Sequence, residues 1–484
     1  MDSEIDYLAC ASRLAETLDG DAFSEVASAI ALQYVEAGDW DRGVELAEQI
    51  PDVYARDSVI AAIAARAVAW GSADDALDLL DTIDDPILAN SAIEAMSIEF
   101  ARLGAFDTAL DLAGQLSDNG PALGSIAVLY WQNGRKEEAL DLARSIEFAQ
   151  QGATTLVQLA KLTDDKEESL NLLAEARTMA EEIDSAELKV FALMAIAAGY
   201  EERVEREQAL EALNRAIEVC DDFESGSLVG LSGAFAKDEA LLQLVEALLR
   251  NDDLSQASDL SEAIEDRFVF AAANLRLAIA RGNDQESSEA AKHLDEVREM
   301  IVETEAYGQQ EANVRDGLII DLAMAYANNG DYAEARGTIE LVISGVTAGL
   351  ALKELGKLCG SAGHDREVSE IAEALQSAYD KVQYWLGIYD STTSEAAMTN
   401  ALATAATLAQ PVEKAEVLTQ IASRFAKSQR TSEAETTFLA ATNAALLIEG
   451  SFLKTRAFLR LAGTGRKPNH DEQRLIEEVM ARAD

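Results

Sequence analysis

The stretch IALQYVEAGDWDRGVELAEQI, residues 30–50, predicts one helix, a tight turn and a second, shorter helix. Ile30, Ala31 and Tyr34 share one helical face, because residues three and four apart are neighbours on a helix. Gly38 interrupts the pattern at a turn where glycine adopts the required backbone most easily. A second apolar face follows directly after the turn. The stretch is therefore a helix–turn–helix unit.

This unit repeats along the chain in a constant register. The second helix carries a small residue, its small site, which recurs with spacings of 33, 33, 30 and 30 at Gly43, Ala76, Ala109, Ala139 and Ser169. Five residues earlier stand the turn glycines Gly38, Gly71, Gly104 and Gly134. Twelve residues earlier lies the small site of the first helix, at Ala31, Ala64, Ser97 and Ala127. Such a period predicts an α-solenoid.

The order large apolar, small, aromatic, turn glycine, small resembles the tetratricopeptide repeat (TPR). It recurs as Leu322-Ala323, Tyr326, Gly330 and Ala335, and with substitutions around the first-helix small sites Ala197, Val245, Gly356 and Ala422. The resemblance covers most of the chain, although spacings widen to about 40–48 residues around 169–257 and 287–335. It implies an all-α, right-handed superhelical α-solenoid of about a dozen TPR-like repeats.

The pattern divides the chain into four segments. Residues 1–222 form N-terminal repeats, with residues 1–20 predicted as a leading helix that caps the first full unit. The glycine-containing segment 223–236 is a predicted hinge or loop, and residues 237–447 continue the repeats. Residues 448–484 are predicted to form a C-terminal capping segment.

The chain has a formal net charge of −49 and a pI of about 4.2. The acidic residues are dispersed over the polar helix faces instead of forming one tail. Such a charge repels itself in ordinary buffer, whereas molar salt shortens the Debye length to about 3 Å and screens the repulsion. The dispersal therefore predicts adaptation to high salt, as in proteins of extreme halophiles, and disfavours a merely local acidic interaction surface.

Composition and motifs exclude several classes of function. Strong acidity disfavours nucleic acid as a partner, because phosphate binding requires cations. No apolar run is long enough to span a membrane and the acidic start does not resemble a signal peptide, so a cytoplasmic protein is expected. Neither the three histidines nor the three cysteines show metal-ligand spacing: His293, His364, His470, Cys10, Cys220 and Cys359. We expect no catalytic residue, no metal and no cofactor, and hence no enzyme.

The TPR resemblance implies a partner-binding groove on the first helices. The positions of this sequence that match the groove-facing positions of the TPR family hold small or apolar residues. They are Leu32, Val35, Ala61, Ala65, Val68, Ile98, Ala101, Val128 and Trp131. An amphipathic partner helix or peptide could dock there, with Trp131 as an anchor. The same residues would instead be buried if the superhelix packs against itself.

A basic patch near the C-terminus is the second candidate site. Residues 451–470 contain no acid and five cations, namely Lys454, Arg456, Arg460, Arg466 and Lys467. They could hold an acidic protein, including the acidic face of another copy of this chain. Alternatively, they belong to a capping element whose arginines pair with neighbouring glutamates.

These observations predict a non-catalytic protein–protein interaction scaffold or adaptor adapted to high salt, with a protein or peptide as partner. The alternative is a ligand- or peptide-responsive regulatory sensor that changes the curvature of the solenoid about segment 223–236. A narrow pocket favours the sensor, and an open groove favours the scaffold.

The charge of −49 makes a prediction about stability. Because KCl screens repulsion among the carboxylates, the melting temperature should rise steeply between 0.1 and 3 M KCl. Thermal unfolding followed by circular dichroism measures this dependence. A flat curve would contradict adaptation to high salt.

Overall fold

The computed structural model describes residues 6–220, 233–283 and 287–483. These residues form helices and connecting turns, with no strand among them. The helices of the first half are α1 Tyr7–Ala15, α2 Gly20–Glu36, α3 Trp40–Glu48, α4 Val53–Ala69, α5 Ala73–Leu80, α6 Pro86–Arg102, α7 Phe106–Ala113, α8 Gly120–Gln132, α9 Lys136–Ser145, α10 Ala149–Leu162, α11 Lys166–Glu181, α12 Ala186–Glu202 and α13 Arg206–Cys220.

The remaining described helices follow in chain order. They are α14 Gly233–Arg250, α15 Leu254–Ser261, α16 Arg267–Asn283, α17 Ser287–Glu303, α18 Gln309–Asn328, α19 Tyr332–Ile339, α20 Gly345–Ser361, α21 Asp365–Ala374, α22 Ala378–Thr392, α23 Glu395–Ala406, α24 Pro411–Lys427, α25 Thr431–Leu446, α26 Ser451–Ala462 and α27 His470–Ala483.

Packing divides the chain into two compact units. Unit 1 contains residues 1–99 and 356–484, and unit 2 contains residues 100–355. Within unit 1, α2 pairs with α3, α4 with α5, α22 with α23 and α24 with α25; within unit 2, the same pairing runs from α8/α9 to α18/α19. The predicted all-α, TPR-like arrangement of helix pairs is confirmed. The predicted hinge at 223–236 falls mainly on residues 221–232, which lie outside the described residues.

The turns between paired helices follow the predicted register. Gly38, Gly71, Gly104 and Gly134 all have positive φ, between 78° and 87°. At Gly38 the turn is closed by two backbone hydrogen bonds, from Gly38 N–H to Val35 O and from Asp39 N–H to Tyr34 O. The same position, seven residues after the first-helix small site, is occupied by Val204, Asp252 and Gln429 in later pairs, also at positive φ.

Buried aspartates connect successive repeats at a second constant position, seven residues before the first-helix small site. Asp57, Asp238 and Asp316 are at most 4% exposed. Each carboxylate accepts two backbone N–H groups that precede a later first helix, from residues Asp84 and Asp85, Glu265 and Asp266, and Ile343 and Ser344 respectively. These carboxylates satisfy donors that a helix start leaves without partners.

Electrostatics around Asp57 favour its charged form. Burial alone would raise the pKa of this carboxyl, but the N–H of Asp85, the Arg56 guanidinium and the N–H of Asp84 together hold the pKa below its ordinary value. Its contribution to stability is therefore present above the ordinary aspartate pKa, and is lost as the pH falls through the lowered value.

Val204 offers a direct test of the turn register. Its φ of 60° is strained for a β-branched residue, and its side chain is 86% exposed, so replacing it removes little packing. We expect Val204→Gly to stabilise the protein by about 1 kcal/mol, after allowing for the greater backbone freedom of glycine in the unfolded chain. Urea unfolding at fixed KCl concentration measures the change.

The reverse substitution in the same unit is the control. Gly134 has a φ of 78° with no atom near a built Cβ, so Gly134→Val should destabilise the protein through backbone strain alone. If both variants shift the midpoint in the same direction, the register argument fails.

Candidate functional site

The structure divides the predicted groove residues into two sets. Residues four positions after the first-helix small site are buried: Val35, Val68 and Ala101 at 0% and Trp131 at 5% exposure. Leu32, Ala61, Ala65, Ile98 and Val128 are partly exposed on the first helices. Only the second set could contact a partner.

The reason for this burial is visible in the first helix pair. A Cβ added to Gly43 on α3 would lie 2.4 Å from Val35 Cγ2 and 2.9 Å from the Ala31 carbonyl oxygen. Val35 therefore packs directly over the small site of the second helix. The first-helix position four residues after its own small site belongs to the core of the pair, which corrects its placement in the groove.

Trp131 is covered by a neighbouring cation as well as by its own pair. The Lys136 ammonium lies 4.5 Å from the centre of the indole ring and forms an ion pair of 2.6 Å with Glu168. A cation over an aromatic face is an attractive arrangement that shields the ring. The predicted anchor is therefore a core residue.

The predicted basic patch lies on α26 and the turn that follows it. Three of its five residues, Arg456, Arg460 and Arg466, line a cavity of about 980 Å³ within unit 1. Arg466 and Lys467 line a smaller adjoining cavity of about 300 Å³. Lys454 is partly exposed and lines neither of these two cavities.

Three first helices build the larger cavity. Helix α26 packs beside α24 on one side and beside α2 on the other. Residues four apart on each helix point into the same space, including Ala29 and Gln33 from α2 and Arg456 and Arg460 from α26. Gln33 Nε2 donates to the Leu459 carbonyl at 3.2 Å and ties α2 to α26. The cavity is thus a section of first-helix surface.

The lining of this cavity is cationic, although the chain is strongly acidic. Arg424 and Lys427 from α24 add to the three arginines of the basic patch, against the two carboxylates Glu25 and Glu416. Neutral polar groups complete the wall, from Gln33, Thr419, Gln420, Ser423 and Thr464. Five cations thus face one space in a chain whose net charge is −49.

The arginines are held in place by single carboxylates. Arg424 donates to Asp390 through two parallel hydrogen bonds of 2.8 and 2.6 Å. Arg460 contacts Glu416 at 2.5 Å and Arg456 contacts Glu25 at 3.6 Å. Because a guanidinium has five N–H donors, each arginine retains donors for a ligand.

Lys427 differs from these arginines. Its side chain is exposed and makes no ion pair with any residue that the structure describes. A lysine ammonium on its flexible four-carbon stem supplies a charge that can adjust its position to a ligand.

Arg466 joins the cavity to the two ends of the chain. Its Nη1 donates to both carboxylate oxygens of Glu472 at 3.0 and 2.7 Å, and to Tyr7 Oη at 3.4 Å. The guanidinium lies 4.6 Å from the centre of the Phe438 ring. Desolvation by burial is the main reason that the pKa of Tyr7 rises to about 12.

The Glu472 side chain also caps the start of the last helix, α27. Asn469 and Glu472 form a capping box, in which the Asn469 side chain accepts the Glu472 N–H at 3.0 Å and the Glu472 side chain accepts the Asn469 N–H at 2.6 Å. The Glu472 side chain has 0% exposure, and its hydrogen-bond partners are Asn469 N–H and Arg466.

Other reactive side chains lie outside the cavity lining. Among the described residues, no group of three or more His, Cys, Asp or Glu side chains could hold a metal ion. The three cysteines are buried. No helix in the described part of the chain is both long and apolar enough to cross a membrane.

No protein-family model matches the sequence, and no curated protein matches it. Several solved structures are similar in three dimensions. The Naa15/Naa10 complex bound to HypK-THB has 12% identity and a TM-score of 0.34, over 96% of this chain and 84% of that chain. A Rap protein complexed with Competence and Sporulation Factor has 15% identity and a TM-score of 0.29, over 73% and 97%.

A third similar structure is a signal-transduction ATPase (STAND) protein with a tetratricopeptide repeat sensor from Pyrococcus horikoshii. It has 12% identity and a TM-score of 0.27, over 99% of this chain and 75% of that chain. Identities and TM-scores this low carry no inference about function.

Removing the Arg466 guanidinium should destabilise unit 1. Arg466→Met leaves Glu472 buried without its cation, which costs about 3–5 kcal/mol for a buried pair. Arg474→Met is the control, because Arg474 is an exposed residue on α27, the helix that carries Glu472. Urea midpoints at fixed KCl concentration compare the two, and equal midpoints would show that Glu472 does not need Arg466.

Proposed function

We propose that this protein is a non-catalytic interaction module that binds an acidic peptide segment of a partner protein in the cavity between α2, α24 and α26. The observation that carries the proposal is the placement of five cationic side chains on this lining in a chain of net charge −49. The four arginines each pair with one carboxylate and keep further N–H donors, and Lys427 makes no ion pair with a described residue. As in the sequence-based prediction, the peptide binds to first helices. Its proposed binding site is the basic patch instead of the apolar groove.

Size and lining support a peptide as ligand. A volume of about 980 Å³ is at the upper end of the range for drug-sized ligands, so several peptide residues can enter. Gln33 and Gln420 can bond to a peptide backbone, while Arg456 and Arg460 can bond to carboxylates. The apolar part of the wall, including Val26, Ala29 and Leu459, contacts the stems of acidic side chains.

High salt fits this mode of binding. At 1 M salt the Debye length is about 3 Å, so repulsion from distant surface carboxylates is screened while groups at hydrogen-bond distance still interact. An acidic peptide could therefore approach this acidic protein in molar KCl. Adaptation to high salt is part of the proposal for this reason.

A cavity-blocking variant tests the site. Ala29 is exposed on α2 within the cavity, so Ala29→Trp should fill it with an indole and reduce peptide affinity at least tenfold. The probe is a fluorescein-labelled peptide of Glu-Gly-Ser repeats, followed by anisotropy at 1 and 3 M KCl. Its Gln-Gly-Ser counterpart should bind wild-type protein at least tenfold more weakly, because it lacks carboxylates.

Ala403→Trp is the matched control, since Ala403 is exposed on α23 and does not line the cavity. It should bind the acidic peptide like wild type. Equal affinity of wild-type protein for both peptides, or unchanged binding by folded Ala29→Trp, would overturn the proposal.

A further inference from the structure

Helix α26 takes the place of a first helix in unit 1, and its packing partner α1 comes from the other end of the chain. Helix α1 packs along α26 in the way that second helices pack along first helices, and it also contacts α2 and α27. The rings of Tyr7 and Phe458 lie 6.4 Å apart, and Tyr7 Oη is 3.2 Å from Thr442 Oγ1. We refer to α1 and α26 as the terminal helix pair.

The side chains of α1 suit the place of a second helix. Its inner face consists of small and apolar residues with at most 9% exposure: Tyr7, Leu8, Cys10, Ala11, Leu14 and Ala15. A helix of nine residues is too short to be stable in isolation. The helical state of α1 therefore depends on packing against its neighbours.

The terminal helix pair positions one wall of the cavity. Only residues 16–19 separate α1 from α2, whose residues Ala29 and Gln33 line the cavity. On the opposite wall, α26 supplies Arg456 and Arg460. Docking of α1 on α26 thus reinforces the direct contact between α2 and α26. Arg466 lines the cavity and donates to Tyr7 of α1.

We propose that docking of α1 on α26 controls peptide binding in the cavity. When α1 is docked, the walls from α2 and α26 face each other and the cavity can hold the acidic peptide. When α1 is released, α2 keeps its direct contacts with α26 but loses those with α1, so the two walls separate more easily and the cavity widens. This inference rests on the proposed function, and extends it from the ligand to the regulation of the same site.

Thermodynamic linkage makes the control reciprocal. A peptide that binds only the docked state must stabilise docking by the same free energy by which docking favours the peptide. Residues of α1 do not line the larger cavity. Tyr7 and Leu8 do line the smaller adjoining cavity, whereas residues 10–15 line neither cavity. Protection of residues 10–15 by the peptide therefore reports coupling through the terminal helix pair.

Hydrogen exchange on the full chain tests the coupling. In 1 M KCl, saturating Glu-Gly-Ser peptide should slow amide exchange in residues 10–15 of α1 at least fivefold. The Gln-Gly-Ser peptide should leave it unchanged. Unchanged exchange in α1 at saturating acidic peptide would overturn the inference.

A variant that releases α1 from α26 provides a second test of the coupling. Ala11 has 0% exposure, so Ala11→Glu places a carboxylate where no water reaches it and should release α1. We expect a loss of peptide affinity of at least tenfold and faster exchange in both α2 and α26. Thr17→Glu adds the same charge at an exposed residue just beyond α1 and should behave like wild type.

The two proposals fail in different ways. If wild-type protein binds neither peptide, the proposed function is wrong, and exchange in Ala11→Glu still tests the role of α1. If α2 and α26 exchange as slowly in Ala11→Glu as in the wild-type protein, α1 does not control the cavity. Tyr7→Phe is a milder variant that keeps the ring and removes the bonds of Oη, and it should produce a smaller change in the same direction.

Discussion

Close contact between the two helices of a pair is the constraint on which this structure depends. The backbone of α3 approaches α2 so nearly that a Cβ at Gly43 would lie 2.9 Å from the Ala31 carbonyl oxygen. Equivalent sites in other pairs hold small residues with 0% exposure, such as Ala76, Ala109 and Ala139. Since each pair contacts only its neighbours in a repeat protein, this local contact must be satisfied again in every unit. It also decides which first-helix residues remain accessible.

The repeat register could be predicted from the sequence because it is local. Turn glycines stand five residues before the small sites of the first four pairs, and the backbone at Gly38 has the positive φ expected there. The buried aspartates were missed, although their position seven residues before the first-helix small site is regular. In a chain with 88 acidic residues, three buried carboxylates such as Asp57 give no compositional signal. Their role is visible only through the N–H groups that they accept.

The candidate site was harder to predict for a geometric reason. Successive helix positions differ by about 100°, so a shift of one residue exchanges core for surface. Register carried over from the TPR resemblance placed Val35 on the groove, whereas it packs on Gly43. The basic patch was recognised from charge alone, but its cavity needs α2 beside α26. Gln33 and Leu459, which join those helices, are 426 residues apart in sequence, and no repeat pattern specifies such a contact.

An acidic surface is compatible with an acidic ligand in the cavity because repulsion from the surface and contact ion pairs in the cavity act over different distances. Surface carboxylates repel an acidic ligand over many ångströms, and molar salt screens this long-range repulsion. Arg460 and Glu416 interact at 2.5 Å, within even the shortened Debye length. A ligand carboxylate that reaches the remaining donors of Arg456 or Arg460 does so at a similar range. High salt therefore suppresses general repulsion between acidic molecules and leaves contact pairs intact. In the proposed mode of binding, recognition depends on fit to the cavity instead of on net charge.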